Sequence, residues 1–316
     1  MLRNSSHFRL AVSAAACALA LCSTPAFAAP PPTAPAPIAS YQSTALHVSE
    51  YGTKGKPALV FIPGLGCGPW VWNAQITRLS PSYHIYALTL PGFDGVPKLP
   101  KTPYFGQVTS AFWNLLDTQH IDAPILIGHS LGGTLALRLA TQNASKLKGV
   151  IAVDGMPSFP GFDLMPAAQR QATAEQIANA IAAETHDQFA AAEQQRVLPS
   201  MITSSDTVAQ VTPLVARSDP AATAQWFRED VLLDFRPDLP KATVPIVEIA
   251  PYDAATDGAP PISLHSADEK KRFYEQRFVG APHATVVMIA NSRHFIMYDQ
   301  PAALDNQIDA ILAAHK

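Results

Sequence analysis

Residues 124–133 read Pro124-Ile125-Leu126-Ile127-Gly128-His129-Ser130-Leu131-Gly132-Gly133, and an Ala/Leu-rich stretch follows them. A short apolar run closes on Gly-x-Ser-x-Gly and gives way to helical spacing. This is the strand–turn–helix context of a nucleophile elbow. Gly128 and Gly132 flank Ser130 because so sharp a turn leaves no room for a Cβ at either place. The serine is expected in a strained backbone conformation, with its hydroxyl exposed above a sheet. A helix opening near Leu131 directs its free amide groups and positive dipole end toward that hydroxyl. The pentapeptide alone arises by accident in on the order of a few per cent of chains, so the flanking strand and helix carry the weight.

Upstream of the elbow, Ala58–Ile62 is a continuous apolar run, as in a strand buried on both faces of a parallel sheet. It stops at the Gly/Pro loop Pro63–Pro69. Helical spacing follows over Trp72–Leu79, then a strand over Tyr83–Leu90 and a helix over Val108–His120. Thr44–Tyr51 alternates loosely and reads as a first strand. Downstream, the helix Leu131–Gln142 sets Leu135 and Leu139 one turn apart. A strand over Leu147–Val153 ends at Asp154-Gly155. Strand and helix in alternation argue a doubly wound, mostly parallel sheet, an α/β fold. The alternation breaks over Met156–Lys241, where Thr173–Ala182, His186–Arg196 and Ala221–Leu232 look helical. The sheet resumes at Val244–Ile249 and Thr285–Ile289, and an amphipathic helix carrying Leu304, Ile308, Ile311 and Leu312 ends the chain. The expected organisation is a core of residues 43–155 and 242–316 with a helical cap, 156–241, inserted into it.

Residues 1–28 have the character of a secretory signal. Arg3 and Arg9 precede the apolar run Leu10–Leu21, and Ala26-Phe27-Ala28 forms a small-x-small cleavage site. The run is too short to anchor the chain in a bilayer. Residues 29–42 begin as a Pro/Ala-rich stretch and read as a semi-rigid linker. The 316-residue chain carries a formal charge of −3. Loss of the two signal arginines would take it to about −5, a mildly acidic balance that gives no reason to expect a nucleic-acid partner. Of three cysteines only Cys67 lies beyond the signal, so no internal disulfide is expected in the exported form. Neither His-Glu-x-x-His nor Cys-x-x-Cys occurs, and no Gly-rich phosphate loop is seen, so no metal and no cofactor is expected.

A serine hydroxyl needs a base within hydrogen-bond reach, a group that orients the base, and N–H donors for the oxyanion. In a parallel sheet these come from loops at the carboxyl ends of strands. Of ten histidines, His294 directly follows the last strand and is the best base. His129, inside the elbow, is expected to pack beneath the turn. The backbone N–H groups of Leu131 and Leu65 are the expected oxyanion donors. Two aspartates follow strands that can reach His294: Asp154 after the Leu147–Val153 strand and Asp253 after the Val244–Ile249 strand. Asp257 lies a little further on. A loop Asp also serves simply to bind nearby backbone N–H groups, so the residues alone leave the acid open.

The segments Phe61-Ile62-Pro63-Gly64-Leu65-Gly66, Leu90-Pro91-Gly92-Phe93, Gly128-His129-Ser130-Leu131-Gly132-Gly133 and Arg293-His294-Phe295-Ile296-Met297-Tyr298-Asp299-Gln300-Pro301 resemble the α/β-hydrolase superfamily in order and spacing. The resemblance covers nearly all of the chain between the signal and the C-terminus outside the insertion. Two departures stand out. Pro63-Gly64 occupies a place that is usually His-Gly. Pro251-Tyr252-Asp253 is one residue short of the usual Gly-x-x-Asp and lacks its glycine. Some lipase-like members take their acid from the earlier strand, so Asp154 and Asp253 both stand as candidates. The resemblance implies a serine hydrolase of carboxylic esters. The signal pattern adds an expectation of export, periplasmic or extracellular, without a stable membrane anchor. The aromatic side chains of the insertion, with Trp70 and Trp72, favour a small-molecule ester carrying an apolar or aromatic group. A lactonase, aminopeptidase, carbon–carbon hydrolase, acyltransferase or cofactor-free perhydrolase would use the same triad, and a non-catalytic binding protein on this fold is a further alternative. Nothing in these residues bears on oligomeric state.

Overall fold

The apolar runs lie side by side in one eight-stranded sheet. In the computed structural model, which describes residues 33–259 and 262–314, the strands are β1 (Ala39–Ser43), β2 (Leu46–Gly52), β3 (Ala58–Ile62), β4 (His84–Thr89), β5 (Ile125–His129), β6 (Gly149–Val153), β7 (Ile246–Tyr252) and β8 (Ala284–Ala290). Their spatial order is β1-β2-β4-β3-β5-β6-β7-β8. The first two pairings are antiparallel, β1 to β2 and β2 to β4; the rest are parallel. The helices are α1 (Asn73–Leu79), α2 (Tyr104–Thr118), α3 (Leu131–Asn143), α4 (Ala167–Ala182), α5 (His186–Ala192), α6 (Leu198–Met201), α7 (Ser205–Val215), α8 (Pro220–Leu232), α9 (Ala254–Asp257), α10 (Ala267–Arg277), α11 (Ile296–Asp299) and α12 (Pro301–Ala314). The signal-like residues 1–28 lie outside the described residues.

Period-two alternation divides the strand side chains between two apolar layers. Val60, Ile62, Leu126, Val150 and Ala152 face the layer shared with α2, α3 and α10. Leu59, Phe61, Ile127, Ile151 and Val153 face the layer shared with α1 and α12. Both faces of the parallel strands are therefore covered, and this explains runs that are apolar throughout rather than alternating. Between β6 and β7 the chain is helical, from α4 to α8, and one isolated bridge joins Ser158 to Asp234. Trp226 of α8 is fully buried against Phe93, Tyr104 and Phe105, and its indole N–H donates to Pro91 O at 3.0 Å. That side chain ties the inserted helices to the sheet domain.

Some elements depart from the sequence reading. Residues 39–42 belong to β1, not to a linker, because Ala39–Ser43 pairs along β2 and completes its backbone hydrogen bonding. The helix expected to begin at Val108 begins at Tyr104. Both N–H groups of Tyr104 and Phe105 donate to the Glu229 carboxylate, which caps the helix start from α8. The helix expected to run from His186 to Arg196 is regular only to Ala192 and continues as a π-turn over Glu193–Val197. Helix α10 escaped the reading altogether. Its sequence Ala-Asp-Glu-Lys-Lys-Arg-Phe-Tyr-Glu-Gln-Arg is dominated by charge and buries only Tyr274 and Arg277 fully.

Candidate active site

Ser130 sits between β5 and α3 with φ 53° and ψ −122°, a conformation that L residues seldom adopt. Backbone hydrogen bonds on both sides hold it there. Ser130 N–H donates to Val153 O at 2.9 Å, and Thr134 N–H donates to Ser130 O at 2.9 Å. The two flanking glycines are forced by contact. A Cβ on Gly128 would lie 2.2 Å from Gly132 O, and one on Gly132 would lie 2.3 Å from Ile62 O. Leu131 is the first residue of α3, so its N–H has no acceptor within the helix. Gly64 packs so close to the elbow that a Cβ there would meet His129 Nδ1 at 2.8 Å and Ser130 Cβ at 3.1 Å. Leu65 thus passes next to the serine, on the loop after β3.

His294 lies in the loop between β8 and α11. Several bonds fix that loop: Arg293 N–H donates to Asp299 at 2.8 Å, Phe295 N–H to Met201 O at 3.1 Å, and Ser292 Oγ to Ile289 O at 2.9 Å. His129 is fully buried and donates its Nε2–H to His294 O at 3.1 Å. Burial, and then the neighbouring His294, pull its imidazole down to about 3, so it is neutral and supports the loop from below. His294 Nδ1 hydrogen-bonds one carboxylate oxygen of Asp154, which leaves Nε2 as the nitrogen free to act. Tyr274 of α10 donates its hydroxyl to the other oxygen. Burial opposes ionisation of Asp154, but the charge and hydrogen bond of His294, the Lys270 charge and the Tyr274 hydroxyl together hold it down at about 2. Asp154 itself has φ 53°, so the turn that presents the carboxylate is strained like the elbow.

The structure does not bring Asp253 to His294. Its carboxylate accepts from Arg293 Nε at 2.6 Å and caps α9 through the Ala255 N–H at 3.1 Å. The Arg293 hydrogen bond leads the effects that hold its carboxyl below the usual range. Asp257 pairs with Lys270 at 2.7 Å. Cys67 is buried, and burial pushes its thiol well up. The sequence carries no signal for Tyr274, because the charged helix that bears it has no apolar stripe.

Ser130, His294 and Asp154 line one cavity of about 820 Å³. Among the described residues the His294 ring is hydrogen-bonded to Asp154, and no hydrogen bond joins it to Ser130 Oγ. Leu65 comes from the sheet side; Met156, Phe159, Ile181, Phe189 and Phe227 come from the segment between β6 and β7. Two carboxyl groups of that segment, Asp230 and Glu193, also face the cavity. Burial pushes Asp230 up to about 7; burial and then Glu184 push Glu193 up to about 7. Among the described residues no group of three or more His, Cys, Asp or Glu side chains is placed to hold a metal ion, and no helix is long and apolar enough to cross a membrane.

This sheet order, with a strained serine after β5 and a histidine after β8, defines the α/β-hydrolase class. The alpha/beta hydrolase family profile matches residues 59–306, and the chain belongs to that family. Curated relatives include the pimeloyl-[acyl-carrier protein] methyl ester esterases of Proteus mirabilis, 31% identical over 120 residues, and Legionella pneumophila, 33% identical over 114 residues. Those alignments take in 36% of this chain and 42% and 44% of the relatives, so the chain spans less than half the length of the curated relatives it matches. Among solved structures, MenH from S. aureus superposes with a TM-score of 0.70 at 18% identity, covering 85% of this chain and 98% of that one. The enol-lactonase from Burkholderia xenovorans LB400 superposes at 0.67 with 20% identity, covering 85% and 96%. At such identities these two establish the shared fold.

Proposed function

We propose that this chain is a serine hydrolase that cleaves carboxylic esters of small molecules through an acyl-enzyme. The observation that carries the reading is the Asp154–His294 pair, which leaves Nε2 of His294 free beside the cavity that also holds Ser130. In this reading Ser130 attacks the ester carbonyl while His294 Nε2 takes its proton and then hands it to the leaving alkoxide. Water enters, and His294 takes its proton as the water oxygen bonds the acyl carbonyl. The C–O bond to Ser130 then breaks, releasing the carboxylic acid as His294 returns the proton to Ser130 Oγ. Asp154 fixes the imidazole tautomer and stabilises the imidazolium that forms. The N–H groups of Leu65 and Leu131 donate to the oxyanion, each such donor being worth about 3 kcal/mol. The mostly apolar cavity wall supports an apolar or aromatic acyl group, and the esterase-named relatives support an ester as the bond cleaved. The helical segment 156–241 acts as a cap that shapes this pocket. The N-terminal signal pattern supports action outside the cytoplasm.

Ser130→Ala tests the assignment. The variant should unfold at the wild-type temperature and give no turnover of p-nitrophenyl esters, and a fluorophosphonate should label the wild type alone. Ester turnover retained in folded Ser130→Ala would sink the reading.

A further inference from the structure

Strand β7 contains one residue out of pattern. Alternation puts Ile246, Glu248 and Ala250 on the same face, and Ile246 and Ala250 belong to the apolar layer under α3 and α10. Glu248 is fully buried there, and neither carboxyl oxygen has a hydrogen-bond partner of good geometry. Across the sheet it pairs in register with Ala152, which faces the same layer, and the carboxylate of Asp154, just past the end of β6, meets that layer through the Tyr274 hydroxyl. The surrounding charges do not favour ionisation. Asp154 lies beside it, and Tyr274 packs from α10. Lys270, also on α10, is bound to Asp257, and His294 is bound to Asp154. Among the described residues no lysine or arginine pairs with Glu248. A carboxylate stripped of water, without a cation and next to a second carboxylate, is strongly disfavoured.

We propose that Glu248 is a positioning residue for Asp154, held as a neutral carboxylic acid beneath the Asp154–Gly155 turn. The inference rests on the Ser130–His294–Asp154 reading for its catalytic consequence. Burial and the charge of Asp154 push the Glu248 carboxyl well up, while the N–H groups of Gly155 and Asp154 lie close enough to offset only part of that. The Asp154 N–H is already committed to Ile249 O at 3.0 Å. That leaves the N–H of buried Gly155 as the group a carboxyl oxygen can serve. The Gly155 N–H lies near the carboxyl but outside good hydrogen-bond geometry, so the acid offers the strained turn an acceptor at its edge within an otherwise apolar layer. Because it is neutral, it adds no second negative charge beside the Asp154–His294 pair. Leucine would fill the space without the acceptor; an ionised glutamate would repel Asp154 from its place.

Glu248→Gln and Glu248→Leu separate these roles. Thermal unfolding is followed between pH 4 and 9, and kcat and KM are measured on a p-nitrophenyl ester. A folded-state carboxyl raised above its unfolded value of about 4.3 costs the wild type stability progressively as pH rises from there. The glutamine variant should therefore gain in Tm over the wild type as pH rises, and keep kcat within about twofold at neutral pH. The leucine variant should lose about tenfold or more in kcat with KM within about twofold. A Tm difference between Glu248→Gln and wild type that stays constant with pH would overturn the neutral acid. A leucine variant with wild-type kcat, or a glutamine variant that falls as far as leucine, would overturn the positioning role. Should Glu248→Leu fail to fold, the glutamine variant still decides, since a neutral positioning acid requires both its pH-dependent Tm gain and its kept kcat. The thermal arm uses no activity, so it stands apart from the Ser130→Ala result.

Discussion

At the scale of single residues, the two aspartates differ in which side chain stands next to each. Arg293 directs its guanidinium to Asp253, while His294 directs Nδ1 to Asp154. The departure of Pro251-Tyr252-Asp253 from Gly-x-x-Asp does not by itself separate the two acids, because both follow parallel strands at the same end of the sheet; the difference lies in side-chain directions. Asp154→Asn should lose roughly 10³- to 10⁴-fold in kcat, the scale seen when a triad acid is replaced by its amide. Asp253→Asn frees Arg293 but leaves the His294 tautomer alone, so its loss should stay within about tenfold. Equal losses in kcat for the two variants would remove Asp154 from its role. The glycines are less ambiguous. Gly132→Ala would set a methyl 2.3 Å from Ile62 O, a backbone atom that cannot swing aside. It should abolish fluorophosphonate labelling and lower the Tm, whereas a variant that labels normally would mean the elbow has slack.

At the scale of elements, the parts that sequence alone made legible are those dictated by periodicity and by steric necessity. The β3 and β5 runs, the elbow and the histidine after β8 carry their own reasons: runs buried on both faces, glycines at close approaches, a loop at a strand end. Elements fixed by tertiary partners were harder to read. β1 exists because β2 offers an edge, α2 starts early because Glu229 of α8 caps it, and α10 holds its place through Tyr274 despite a charged sequence. Tyr274 and Glu248 were missed for that reason, since a phenol and a carboxyl acquire meaning only once Asp154 lies between them and His294. Helix α8 depends on a partner of this kind. Trp226 buries its whole ring among Phe93, Tyr104 and Phe105 and donates to Pro91 O. Trp226→Ala should cost about 3–5 kcal/mol in urea unfolding. A loss under about 1 kcal/mol would show that α8 is anchored elsewhere.

At the scale of the whole molecule, the cavity lined by Ser130, His294 and Asp154 also holds groups that shape how stability responds to pH. His129 is pulled down to about 3 by burial, so the folded state binds fewer protons than the unfolded state between about pH 3 and 6.5, and this group costs stability as pH falls through that window. Asp154, held down at about 2 against its burial, loses its contribution as pH falls from about 4 toward 2. The surface pairs Arg236–Asp234 and Arg293–Asp253 act in the same direction. Asp230 and Glu193, like Glu248, have the opposite sign. Burial raises both to about 7, so the folded state holds protons that the unfolded state gives up near pH 4, and stability falls as pH climbs from about 4 to 7. Below about pH 4 the first set dominates; between about 4.5 and 7 the two cavity carboxyls outweigh the single histidine. The Tm maximum should therefore fall on the acid side of neutrality, between about pH 4 and 6. The double variant Asp230→Asn, Glu193→Gln should raise the Tm near pH 7 more than at pH 4 and move the maximum toward neutrality. Differential scanning calorimetry across pH 3 to 9 reads both effects. A wild-type maximum above pH 7, or a double variant whose curve runs parallel to the wild type, would mean that these carboxyls are solvated or paired in solution and do not face the cavity uncompensated.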